Sequence, residues 1–339
     1  MSFENQPTVV ITDCDHGEVS IEREVADRYG FELVVAQSRT EAEVIAASTA
    51  AVALLTQYAP VTSRVLDALP NVRVVGRYGV GVDTIDVDAA SQRGVAVCNV
   101  PDYGTEDVSD HAIALSLALL RGLPALDKGV RNGSYTLDPI KPLHRFSATT
   151  IGIFGLGLIG EATARKARGL GFSVMGTDPR YEPGTYSPSG TRVVTEDELL
   201  ASSDLISLHL PLTPRTHHFV GTSFFEKMRT GAKIVNTCRG GVIDTAALIE
   251  ALDTGRISAA GLDVFEEEPL RADSRLREFN QVLLTPHAAW YSEESFVELK
   301  RRAMENVLGY CVGSEVANVV NREALLPSGI PTEDVRSVR

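Results

Sequence analysis

The sequence predicts an α/β protein built from two doubly wound parallel-sheet domains. Two observations carry this expectation: short apolar runs alternate with helical patterns from Thr8 to Pro101, and the alternation starts again at Thr149. Such alternation builds parallel strands joined by crossover helices. A length of 339 residues suits about two domains, and 44% hydrophobic with 23% charged residues is ordinary for a globular chain.

In the first block, strands are expected at residues 9–12, 33–36, 50–55, 72–75 and 94–101, with helices at 21–29, 42–47 and 63–69. Pro101 closes the last strand. A long apolar helix follows over 106–121, with Thr105 as its N-cap and Gly122 and Pro124 as stop signals. Residues 127–149 mix Gly, Pro and basic side chains and read as an irregular connection. In the second block, strands at 150–154, 173–177, 205–210, 233–236, 258–264 and 282–284 alternate with helices at 158–170, 196–201, 223–229 and 245–252. A final helix is expected over 293–312, and the tail from Pro327 is polar and loosely held.

With 32 Lys and Arg against 45 Asp and Glu, the formal charge of −13 disfavours nucleic acid or an anionic membrane as a partner. An anionic substrate must then be held by local positive groups. Cys14, Cys98, Cys238 and Cys311 form no ligand-spaced pair, so neither a disulfide framework nor a zinc site is expected, and a reducing cytoplasm fits best. The N-terminal residues lack the basic and apolar regions of a secretory signal. The longest apolar span, 112–120, falls short of the ~20 residues a membrane crossing needs.

Gly155-Leu156-Gly157-Leu158-Ile159-Gly160 places GxGxxG after a strand pattern and before a helix pattern. Gly155 permits the tight turn, Gly157 lets a pyrophosphate approach the backbone, and Gly160 allows close helix packing at an N-terminus that favours an anion. Asp178, at the end of the next strand, is placed to accept hydrogen bonds from an adenosine ribose and to repel a 2′-phosphate. NAD rather than NADP follows, although Arg180 two residues later could offset the repulsion.

Arg239, Glu268 and His287 each sit just beyond an apolar, strand-like run. Ligands of parallel sheets bind outside the carboxyl ends of the strands, so the three offer a catalytic set. Read alone, each has a plainer alternative. Glu266, Glu267 and Glu268 form an acidic run of the kind that usually faces solvent, and Arg239 could cap a strand end. His209, His217 and His218 read as structural or exposed, and His111 and His144 show no partner in the sequence.

Taken with Arg77-Tyr78-Gly79-Val80-Gly81-Val82-Asp83, His209-Leu210-Pro211-Leu212-Thr213-Pro214, Asn236-Thr237-Cys238-Arg239-Gly240-Gly241, Leu262-Asp263-Val264-Phe265 and Thr285-Pro286-His287, the chain resembles the D-isomer-specific 2-hydroxyacid dehydrogenases from about Thr8 to Asn318. The resemblance implies a flavodoxin-like substrate domain (1–104 plus 290–339), a Rossmann NAD-binding domain (105–289) and a homodimer formed through the latter. It makes Arg239 the clamp on the substrate carboxylate, His287 the acid or base at the C2 oxygen, and Glu268 the partner that orients His287 and favours its protonated form. It gives substrate contacts to Arg77, Tyr78, Gly79 and Val80. It gives cofactor contacts to Val108, Leu158, Ile159, His209, Pro211, Thr216, Thr237, Cys238, Arg239, Asp263 and His287, beside the glycines and Asp178.

Trp290, after Ala288-Ala289, resembles the branch that contains the C-terminal-binding proteins, NAD-dependent corepressors with a retained dehydrogenase site. An aromatic wall there implies a 2-oxo acid with an apolar or thioether tail, while a packing role for Trp290 stands equally open. A binding protein with incidental turnover is the rival function. Glu268 argues against formate dehydrogenase, and the absence of Lys between Arg77 and Gly81 argues against phosphite dehydrogenase. 3-Phosphoglycerate is disfavoured as substrate because Thr56-Gln57-Tyr58 stands where many of its dehydrogenases place an Arg, although Arg77 leaves a basic group nearby.

Overall fold

The structure is a computed structural model that describes residues 6–325, so the tail from Pro327 lies outside the described residues. The chain divides into two compact units, one formed by the residues up to Tyr103 and from Glu293 on, the other by Gly104–Ser292.

The first unit runs β1 (Thr8–Ile11), α1 (Ser20–Tyr29), β2 (Glu32–Val35), α2 (Glu41–Ala47), β3 (Ala51–Thr56), α3 (Ser63–Ala68), β4 (Val74–Arg77), α4 (Val87–Gln92) and β5 (Ala96–Cys98). Its strands are all parallel in the order β2-β1-β3-β4-β5, which is the flavodoxin-like winding. Helix α2 starts on a capping box, in which Thr40 accepts from the Glu43 N–H at 3.3 Å and Glu43 accepts from the Thr40 N–H at 3.0 Å. Val10, Leu54, Val65, Val75 and Val97 form the core beneath. The strands carry runs of β-branched and aliphatic residues because helices cover both faces.

A buried charged pair ties this unit together. Glu22 on α1 and Lys300 on the helix Glu293–Cys311 lie 3.4 Å apart with side chains 0% and 2% exposed, and the Tyr78 hydroxyl donates to Glu22 at 2.9 Å. His16 packs edge-on against Tyr78 and Phe296. Burial pushes the His16 imidazole down to about 4, despite the neighbouring Asp15 carboxylate. Below its ordinary value of 6.5 the unfolded chain takes up this proton, while the folded chain stays neutral until about 4. The contribution of His16 is therefore complete above pH 6.5 and is lost as pH falls to about 4, an effect on the order of 3 kcal/mol. Urea unfolding of the wild type and His16→Gln across this range is expected to show a shallower acid loss in the variant; equal slopes would contradict the assignment.

The second unit runs α5 (Thr105–Arg121), α6 (Leu123–Arg131), β6 (Thr150–Phe154), α7 (Leu158–Gly169), β7 (Ser173–Thr177), β8 (Arg192–Val193), α8 (Glu196–Ser202), β9 (Leu205–Leu208), α9 (Thr222–Lys227), β10 (Ala232–Asn236), α10 (Thr245–Asp253), β11 (Ile257–Leu262) and β12 (Val282–Leu284). The order β12-β11-β10-β9-β6-β7-β8 is parallel throughout and reverses between β6 and β9, which is the Rossmann winding. Two apolar layers pack on it. One gathers Leu199, Phe224, Leu248 and Ile234, and the other gathers Leu119, Ala164, Ile151 and Leu205.

The α/β fold class holds in both units, while several expected boundaries do not. Thr105 lies inside α5 rather than capping it; Gly104 holds the cap position and no side chain bonds there. Pro124 does not stop a helix but stands in the first turn of α6, where its missing N–H costs nothing. The stretch read as irregular from residue 127 is therefore helical to Arg131. Strands β5, β9 and β11 are shorter than expected. The short α4 and the two-residue edge strand β8 were not expected from the pattern.

Candidate active site

Strands β10, β11 and β12 are neighbours in the sheet, so the segments leaving their carboxyl ends emerge side by side. Those segments carry Arg239, Glu268 and His287. Nδ1 of His287 lies 2.7 Å from Oε2 of Glu268, and the Phe265 N–H donates to Oε1 at 3.0 Å. Burial pushes the Glu268 carboxyl upward, but the hydrogen bond and charge of His287 together with the Phe265 N–H outweigh it and hold the group below its ordinary value. Both side chains keep some solvent contact, 27% for His287 and 32% for Glu268.

His287 adopts a left-handed backbone conformation, φ 52°, which non-glycine residues seldom take. Asp263 explains how it is held. This side chain is fully buried and accepts from the Thr285 hydroxyl and the Ala288 N–H on Oδ1 and from the Ala289 N–H on Oδ2, while its own carbonyl accepts from the His287 N–H at 2.7 Å. The carboxylate expected to contact the cofactor thus first builds the turn that presents His287. His111, which shows no partner in the sequence, lies 3.0 Å from the Thr285 hydroxyl and 3.6 Å from Asp263. Only the i+174 separation of His111 and Thr285 hides this link from a linear reading.

The Arg239 turn has a comparable support. Asn236, fully buried at the end of β10, accepts from the Cys238 N–H at 3.0 Å and donates to the Arg239 carbonyl at 2.9 Å. The Cys238 thiol donates to the same Asn236 oxygen, and burial raises it above its ordinary value. A Cβ on Gly240 would lie 1.8 Å from the Phe265 carbonyl carbon, so only glycine lets the Arg239 turn and the Glu268 segment approach this closely. Within the acidic run, Glu266 pairs with His218 and accepts from the Thr245 N–H at 2.8 Å. Two of its three carboxylates therefore bind histidines while staying partly open to solvent.

The glycine motif fits a dinucleotide. A Cβ on Gly155 would sit 2.3 Å from the His209 carbonyl oxygen and one on Gly160 would sit 1.9 Å from the Gly155 oxygen, whereas Gly157 faces open space. No side chain caps the N-terminus of α7, and Leu158 beside it is 60% exposed, with Ile159 partly buried. Thr237, just past β10, keeps a buried hydroxyl oxygen with no hydrogen-bond partner, an orphan that a bound polar group would satisfy. The Thr216 hydroxyl closes the turn after His209 by donating to the Pro211 carbonyl at 2.5 Å and accepting from the Thr213 N–H at 2.8 Å. His209 lies 2.9 Å from Ser207, and burial lowers it to about 4, so it is neutral at physiological pH. Val108 is partly buried on the second turn of α5.

Asp178 is 8% exposed at the end of β7 and accepts from the Leu156 N–H at 2.8 Å, which fastens the glycine loop to the neighbouring strand. Trp290 is partly buried, its ring edge-on to Tyr291 at 5.6 Å. In the first unit, Arg77 ends β4, and its Nη1 fills the space where a Cβ on Gly79 would stand, 1.9 Å away. Tyr78 is 2% exposed, with its hydroxyl given to Glu22 and its backbone N–H to the Thr56 carbonyl, while Val80 is 38% exposed. Among the described residues no group of three His, Cys, Asp or Glu comes together to hold a metal, and no helix is long and apolar enough to cross a membrane.

Comparison with known proteins bears on the family and the fold. The sequence model for the D-isomer specific 2-hydroxyacid dehydrogenase, NAD binding domain, matches residues 113–289. A glyoxylate reductase of Korarchaeum cryptofilum is 39% identical over 81% of this chain and 83% of its own length. A D-3-phosphoglycerate dehydrogenase of Archaeoglobus fulgidus is 38% identical over 79% of this chain, which spans only 51% of that longer relative. Among solved structures, D-lactate dehydrogenase from Aquifex aeolicus complexed with NAD and lactic acid superposes with a TM-score of 0.82 at 26% identity, covering 95% of this chain and 100% of that one.

Proposed function

The chain belongs to the D-isomer-specific 2-hydroxyacid dehydrogenase family, and on that premise we propose that it interconverts a 2-oxo acid and a D-2-hydroxy acid with NAD as cofactor. The observation that carries this reading is the 2.7 Å contact between His287 and Glu268 on adjoining strand ends, with the charge of Arg239 close enough to act on Glu268.

When bound, the nicotinamide supplies the hydride that C2 of the oxo acid accepts. Arg239 grips the substrate carboxylate with its planar fork and polarises the C2 oxygen. Because Nδ1 of His287 is given to Glu268, Nε2 is the ring nitrogen left for that oxygen, and it delivers the proton as the carbonyl becomes an alcohol. The ionised Glu268 fixes the tautomer and offsets the positive charge on the ring. One oxo acid, one NADH and one proton give one hydroxy acid and NAD⁺.

The test is purified protein with NADH and polar, branched, aromatic and thioether 2-oxo acids, followed at the nicotinamide absorbance band. Oxidation well above a His287→Ala control is expected, fastest with the apolar or thioether tails that suit Trp290. No oxidation above that control with any of them would overturn the reading. A second reading, 3-phosphoglycerate as the hydroxy acid, is favoured by the Archaeoglobus relative's name and forms one arm of the same panel, run in the oxidative direction with NAD.

We further propose a homodimer in a reducing, cytoplasmic setting. Leu123, Val130, Tyr135 and Leu137 are 53%, 59%, 98% and 59% exposed within one short stretch of the second unit, apolar side chains that a second copy of the chain would cover. All four cysteines are free thiols. Sedimentation equilibrium is expected to give twice the chain mass, and Tyr135→Lys with Leu137→Glu is expected to shift it toward the monomer; a monomeric wild type would overturn the proposal.

A further inference from the structure

Asp178 is the residue whose free carboxylate would select an unphosphorylated ribose, and in this structure that carboxylate is already saturated. Oδ1 accepts from the Arg180 backbone N–H at 3.0 Å and from Arg180 Nε at 2.8 Å, while Oδ2 accepts from the Leu156 N–H at 2.8 Å and from Arg180 Nη2 at 2.8 Å. A carboxylate offers about four lone-pair positions, so all are taken, two of them by the Arg180 side chain. Ribose hydroxyls can be received by Asp178 only if that guanidinium moves aside.

The electrostatics change with the geometry. The Asp178 side chain is 7% exposed and that of Arg180 is 58% exposed, so an arriving ribose meets the guanidinium first. A guanidinium carries five N–H donors, and this one gives two to Asp178, which leaves three for an incoming anion. The Arg180 side chain also lies over the Tyr181 ring, 5.5 Å from its centroid, which steadies it in this position. The Arg180 hydrogen bonds outweigh the burial of Asp178 and hold its carboxyl at about 2, so the pair remains ionised across the working pH range.

We propose that Arg180 cancels the 2′-phosphate exclusion expected of Asp178, and that the site therefore accepts nicotinamide dinucleotides with or without a 2′-phosphate on the adenosine ribose. The inference rests on the cofactor reading above and extends it. For NADH, Arg180 swings out and frees two acceptor positions on Asp178. For NADPH, it stays and receives the phosphate in a charge-assisted contact.

The experiment measures dissociation constants of NADH and NADPH by nicotinamide fluorescence, without substrate, for the wild type, Arg180→Ala and Arg180→Lys. The wild type is expected to bind the two within about tenfold of each other, with NADPH weakening more steeply in rising salt. Arg180→Ala is expected to weaken NADPH at least tenfold while NADH stays level or tightens, and Arg180→Lys to fall between. A wild-type preference for NADH beyond tenfold, or an unchanged ratio in Arg180→Ala, overturns the proposal and leaves the dehydrogenase reading intact. Failure to bind either dinucleotide overturns both.

Discussion

Replacing His287 with asparagine is expected to lower kcat by about 10²–10⁴-fold, the usual worth of a positioned general acid. Asparagine is the informative choice because it tolerates the left-handed backbone that His287 occupies, φ 52°, so the turn held by Asp263 survives the change. An alanine there mixes loss of the proton donor with backbone strain. The companion variant Glu268→Gln keeps a hydrogen-bond acceptor but removes the carboxylate, which the wild type holds below its ordinary value, so the acid limb that Glu268 sets is expected to be absent from its pH profile. A structural role for the pair would lower activity without moving the profile. The measurement is kcat against pH for the wild type and both variants, with thermal unfolding to show that each is folded.

Replacing Arg239 with methionine is expected to cut kcat/KM by on the order of 10²–10⁴, since two charge-assisted hydrogen bonds worth about 1.5–3 kcal/mol each are removed from the substrate carboxylate. Arg239→Lys restores the charge without the planar fork and is expected to recover part of the loss. The role shows most clearly in a comparison of each 2-oxo acid with its uncharged amide. The wild type is expected to prefer the acid strongly, and Arg239→Met is expected to prefer neither. A variant that keeps the preference for the acid would place the carboxylate elsewhere.

The elements most legible in the sequence are those whose local pattern and tertiary role agree. β6, β7 and β12 have the expected bounds because each is a short apolar run closed by a glycine turn or a proline. Helix α6 was hidden because Gly122 and Pro124 are stop signals for one helix and start signals for the next, and only the αL geometry of Gly122 tells which applies. Edge strand β8 pairs through two residues, too few to leave a period. In the site, Arg239, Glu268 and His287 were visible because parallel strand ends converge by rule, whereas Asn236, Asp263 and His111 act through hydrogen bonds to turns and carry no motif of their own as supports. The pairing of Asp178 with Arg180 was visible as proximity in the chain, but the filling of every acceptor position on the carboxylate is a matter of side-chain geometry.

On the proposed mechanism, C2 of the bound 2-oxo acid takes a hydride while His287 protonates the oxygen. The most direct test of this mechanism is a reaction of the 2-oxo acid that scores best in the panel with NADH carrying deuterium at both C4 positions, with the product analysed by mass spectrometry and chiral chromatography. The expected product is the D-2-hydroxy acid with one deuterium on C2. A hydroxy acid whose C2 hydrogen comes from solvent, or an L product, would contradict it.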